Sequence, residues 1–166
     1  RREIDAGGPD KLLRAVSSGM GTGRAENDLN NLITSAEWRT VHRTMVAILR
    51  TQGDHYEACR GGAHLSLADA QTADAASEII GSIAPVYFKK DGGPRKSAYI
   101  AKKYFSGKER KQYEETFFAV QDLFIRFRDL LSRIQAGREA QSLLRLFQRA
   151  EDHYQTSKLR EGLLDF

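Results

Sequence analysis

Tyr113-Glu-Glu-Thr-Phe117-Phe-Ala-Val120-Gln-Asp-Leu123-Phe124-Ile-Arg-Phe127-Arg-Asp-Leu130-Leu131-Ser-Arg-Ile134 is the stretch that decides the fold class. Tyr113, Phe117, Val120, Phe124, Phe127, Leu131 and Ile134 alternate four and three residues apart, the spacing that lines one face of an α-helix. Leu123 and Leu130 widen the stripe beyond a two-stranded coiled-coil seam. The helix therefore belongs in a bundle core, packed at about 20° to its neighbours. Ser106-Gly107-Lys108-Glu109 reads as the capping box that starts it, and Gly137 as its end.

Working outward, the chain repeats the theme in both directions. Downstream, Ala140, Leu143, Leu144, Phe147, Ala150 and Tyr154 form a further amphipathic helix, followed by the apolar tail Leu163-Leu164-Asp165-Phe166. Upstream, Ala98, Ala101 and Phe105 suggest a short helix, and Val86 to Pro94, with Gly92-Gly93-Pro94, a loop or hairpin. Ala73, Ala76, Ile79, Ile80 and Ile83 form the inner face of an alanine-rich helix, capped by Ser66 and ended by Pro85. Before it, Trp38, Val41, Met45 and Ile48 or Leu49 mark a helix that is opened by the capping box Thr34-Ser35-Ala36-Glu37 and should stop no later than Gly61-Gly62. A shorter pattern, Leu29, Leu32 and Ile33, precedes it. Asp10 can cap a first short helix with Leu12, Leu13 and Val16, which Gly19, Gly21 and Gly23 break. No stretch alternates with the period of a strand. The expectation is an all-α up-and-down four-helix bundle with an additional C-terminal helix: a flexible lead over 1–8, the bundle over 9–137 and an extension over 138–166.

A chain of 166 residues can bury a core without staples, and its single cysteine, Cys59, excludes an internal disulfide. No run approaches the ~18 apolar residues that span a bilayer. The net charge of +4 is unevenly placed. Between Tyr87 and Gln112 nine cations, Lys89, Lys90, Arg95, Lys96, Lys102, Lys103, Lys108, Arg110 and Lys111, face only Asp91 and Glu109, which leaves the rest of the chain net acidic. Interleaved with Tyr87, Phe88, Tyr99, Tyr104 and Phe105, these cations could pair with phosphates while the rings stack on bases. They could equally meet an acidic protein surface.

Catalytic and metal chemistry finds little to work with. His55, Cys59 and His64 lie close together, but no third and fourth ligand or paired-cysteine motif accompanies them, so packed or solvated side chains are the better reading and no metal is expected. Arg50-Thr-Gln-Gly-Asp-His55 is similar to the Arg-x4-His signature of HEPN ribonucleases, small helical bundles that act on RNA. The match rests on two residues with Gly53 between them. No nucleophile, base and orienting group assemble, and neither enzymatic activity nor a cofactor is expected.

Leu29-Asn-Asn-Leu32-Ile33-Thr-Ser-Ala-Glu-Trp38-Arg-Thr-Val41 resembles the PsbQ-like family of extrinsic photosystem II proteins, in which a Leu-Ile or Phe-Ile pair ends one helix and a tryptophan soon opens the next. The likeness continues through Ala75-Ala76-Ser77-Glu78-Ile79-Ile80, the lysine-bearing linker, and Ser106 to Leu131 with Tyr113. The resemblance implies a non-enzymatic, extrinsic subunit of the chloroplast thylakoid lumen that stabilises the oxygen-evolving complex. It would lie peripheral to the membrane, bound to the intrinsic antenna subunits and other extrinsic proteins. A chain that starts at Arg1 fits removal of a transit sequence. The glycines at 19–23, the Val86–Pro94 insertion and the helix from Arg138 depart from the family pattern and suggest a divergent, algal member. The nine cations are the expected docking residues, and nucleic acid is the alternative partner.

Overall fold

A computed structural model of the chain describes residues 22–51, 53, 56, 60–98 and 105–162. Among them are five α-helices: α1 (Thr22–Thr34), α2 (Ala36–Arg50), α3 (Gly61–Ala68), α4 (Ala73–Tyr87) and α5 (Gly107–Glu161). Strand pairing among the described residues is limited to one isolated antiparallel bridge, Phe88 with Pro94. No described helix is long and apolar enough to cross a membrane. The expected first helix at Asp10–Val16 lies outside the described residues; of the short helix expected through Ala98, Ala101 and Phe105, Ala98 and Phe105 belong to no helix and 99–104 lie outside the described residues. The chain divides into two compact units, Asn27–Leu130 and a second that joins the stretch up to Glu26 with the stretch from Leu131.

In the Asn27–Leu130 unit, α2 opens on Ser35, whose hydroxyl oxygen accepts from the Trp38 N–H at 3.0 Å. The cap thus sits one residue later than the Thr34–Glu37 box predicts, and Thr34 instead donates its hydroxyl to the Asn30 carbonyl of α1. Helix α2 buries Trp38, His42, Met45, Val46, Ile48 and Leu49, while Val41, expected inside, is half-buried. It stops at Arg50, before Gly61-Gly62, which begin α3. The Tyr56 ring lies against the α-carbon of Gly61, and a side chain at that position would require the ring to shift.

Helix α4 is capped by Thr72, whose side chain accepts from the Ala75 N–H at 3.3 Å. Ser66, the expected cap, lies inside α3 and donates to the Gly62 carbonyl. Nor does Pro85 end α4, which continues to Tyr87. A proline in the last turn forfeits a single backbone hydrogen bond, a cost that the burial of Ile83 and Tyr87 on either side can outweigh. From α5 this unit buries Tyr113, Phe117, Val120, Leu123, Phe124 and Phe127. These are the residues of the four-three stripe with Leu123 beside it.

The main correction concerns Gly137. Helix α5 passes through it and runs 55 residues to Glu161. Glycine costs only about 1 kcal/mol in a helix interior, and Arg138, Glu139 and Ala140, which follow, are all good helix formers. In the second unit Ile134 and Gly137 are buried, Leu131 is half-buried, and Arg138 pairs with Glu26 of α1 at 3.0 Å.

Candidate functional site

The basic segment begins where α4 ends. Lys89-Lys90-Asp91-Gly92 makes a tight turn in which the Gly92 N–H donates to the Lys89 carbonyl at 3.0 Å. Gly92 has φ +80°, the left-handed region open to glycine. The Asp91 carboxylate accepts from the Gly93 N–H at 2.9 Å, a side-chain turn that stiffens the tip. The two arms are zipped by Lys89 N–H to Gly93 carbonyl at 2.8 Å and Arg95 N–H to Tyr87 carbonyl at 3.0 Å.

Side chains of α5 and the turn itself then fix this hairpin to the helices. The Gln121 amide, itself buried, donates to the Tyr87 carbonyl at 2.7 Å and the Arg95 carbonyl at 3.2 Å. Arg128 donates to the Gly92 carbonyl at 3.2 Å, and its guanidinium lies 5.0 Å from the centre of the buried Phe88 ring. Arg95 turns back to donate twice to the Pro85 carbonyl, which shares its charge with the end of α4. Lys89, Lys90 and Lys96 remain exposed on a turn held at both arms and at its tip.

Of the other expected docking residues, Lys108, Arg110 and Lys111 lie in the first turns of α5. Arg110 bonds Glu114 at 2.8 Å and Lys111 approaches Glu115 at 3.8 Å, so part of their charge is neutralised locally. Lys102 and Lys103 lie outside the described residues. Three of the five interleaved aromatics are not surface residues: Tyr87, Phe88 and Phe105 are buried. Tyr87 stacks on Phe117, and Phe105 on Tyr113. They cannot stack on bases, and Tyr99 and Tyr104 lie outside the described residues.

His55 and Cys59 also lie outside the described residues. Among the described residues no group of three His, Cys, Asp or Glu could hold a metal ion. His64 has a different role. Its Nδ1 shares a hydrogen bond with His42 Nδ1 at 3.1 Å, and its Nε2 shares one with the Tyr87 hydroxyl at 2.8 Å, all fully buried. Nε2 of His42 has no hydrogen-bond partner. Burial holds both rings neutral, lowering His64 to about 4, and lowering His42, with His64 adding to the effect, to about 2. Sequence reasoning missed this pair. The available signal was that His42 falls on the same stripe as Trp38, Met45 and Leu49.

The chain matches no protein-family model, no curated protein and no solved structure.

Proposed function

We propose that the protein is a non-enzymatic docking subunit that binds an anionic protein surface through Lys89, Lys90 and Lys96, with Arg95 and the cations at the start of α5 around them. The carrying observation is the clamped turn. Gln121, Arg128 and the zipped arms hold the three lysines on a fixed base, so their charge can match a partner without first ordering a loop. The burial of Tyr87, Phe88 and Phe105 favours an acidic protein face over single-stranded nucleic acid, which needs exposed rings as well as charge.

In its most specific form the reading is the one that the Leu29–Val41 resemblance implies: an extrinsic lumenal subunit of photosystem II. It would stabilise the oxygen-evolving complex from the surface without ligating its ions. On this reading α1, α2, α4 and the first part of α5 are the long helices of an up-and-down bundle, and the remainder of α5 is an extension. The buried histidines then belong to the core, since a substrate has no access to them.

The experiment is a rebinding assay with salt-washed photosystem II membranes and, in parallel, single-stranded RNA. The expected outcome is retention on the membranes, release by salt as charge is screened over about 8 Å, and no retention of RNA. Failure to bind the membranes together with salt-sensitive RNA binding would transfer the function to nucleic acid.

A further inference from the structure

The part of α5 within the second unit carries an apolar face that is left open. Leu143 and Tyr154 are each 57% exposed and Phe147 72%, with Ala150 exposed between them. At 3.6 residues per turn these four side chains fall within about 60° around the helix. Leu144 and Gln148, both half-buried, lie on a different side. The spacing of four, three and four is that of alternating a and d positions in a heptad, the pattern that one helix presents to another.

The face is complementary to itself. Place a twofold axis between Gln148 and Arg149 and run a second copy antiparallel: Leu143 then meets Tyr154, and Phe147 meets Ala150. Each layer sets an a position against a d position and an aromatic ring against an aliphatic side chain. In a parallel pair Phe147 would meet Phe147 and Ala150 would meet Ala150, leaving one layer crowded and another empty.

Charge gives the same orientation. Glu139 and Arg160 flank the stripe at equivalent heptad positions near its two ends. The antiparallel arrangement brings each Glu139 beside the other copy's Arg160, twice by symmetry. Glu139 accepts one hydrogen bond from Gln135 at 2.9 Å, and a carboxylate has capacity for more. We propose that this face is a homodimer interface, an antiparallel pairing of two copies of α5 through Leu143, Phe147, Ala150 and Tyr154. It is independent of the basic turn.

Sedimentation velocity on the full chain over a range of concentrations tests it. A monomer–dimer equilibrium is expected, and Phe147→Glu should weaken it at least tenfold. Unchanged far-UV circular dichroism will show that the variant folds. Glu139→Arg should weaken association roughly threefold to tenfold, the range of exposed ion pairs, and adding Arg160→Glu should restore it. In a Cys59→Ser background, spin labels at position 149 should lie close together across the axis, whereas labels at 139 should lie roughly 30 Å apart, the rise of about twenty helical residues. A monomer at every concentration, a dimer indifferent to Phe147→Glu, or labels at 139 in close proximity would each overturn the proposal. The first result would mean that another segment or another protein covers the face.

Discussion

Trp38 shows how much one side chain organises here. It is fully buried, its indole N–H donates to the Leu67 carbonyl at 2.7 Å, and its ring packs edge-on to His42 and against Phe124 and Phe127. Trp38→Ala removes the ring and one donor to the Leu67 carbonyl, which keeps the Ala70 N–H, so the loss is mainly that of a large core side chain and should cost about 3–5 kcal/mol in a denaturant titration. Beside it, the His42–His64 hydrogen bond needs one proton between two facing Nδ1 atoms 3.1 Å apart. A second proton would set N–H against N–H. Unfolded histidines take up protons near pH 6.5, whereas the folded rings wait until about 4 and about 2. Between these values the unfolded state binds more protons, so stability should be flat above about pH 7.5 and fall as pH drops below 6.5. For His64 alone the loss at the acid end is roughly 3 kcal/mol, at about 1.4 kcal/mol per pH unit. His42→Phe should remove about one proton from the slope between pH 6.5 and 4.5. An unchanged slope would mean that the pair does not govern acid stability. The burial of Trp38 was legible because it opens a clear helical stripe. The histidine pair was not, because its members are 22 residues apart on separate helices, and pairing at that range leaves no periodic trace.

At the scale of elements, the clamp on the basic turn is formed by residues distant in sequence. Gln121 lies 34 residues from Tyr87, and Arg128 lies 36 from Gly92. Composition alone reveals the lysines and the Gly-Gly-Pro turn, but it says nothing of what holds them. Gln121→Leu keeps the volume but removes the amide that donates to the Tyr87 and Arg95 carbonyls; the Tyr87 carbonyl keeps the Arg95 N–H, so the loss should be about 0.5–1.5 kcal/mol. Hydrogen exchange should locate the effect, with the Lys89 and Arg95 amides exchanging faster and those of α2 unaffected. Uniform acceleration across the chain would instead mark Gln121 as an ordinary core residue. Helix α5 shows the opposite balance. Its four-three stripe was readable because seven apolar residues keep one period, but its end was not. The single Gly137 weakens a helix by less than the surrounding residues support it.

At the scale of the molecule, charge separates the basic stretch from Tyr87 to Gln112, which includes the lysine-bearing turn, from the rest of the chain, which is net acidic. The all-helical class could be read from periodicity, and the position of the cations from composition. Which aromatics stand among those cations at the surface could not, because burial of Tyr87, Phe88 and Phe105 depends on the packing of α4 and α5. The most direct test of docking through the turn is the association rate with salt-washed photosystem II membranes as ionic strength is varied, measured for the native chain and for Lys89→Glu/Lys90→Glu/Lys96→Glu. All three side chains are exposed, so thermal stability should stay nearly the same. The prediction is a native association rate that falls steeply with salt and a variant rate that is slow and nearly independent of salt. Equal rates and equal salt dependence in the two proteins would contradict it.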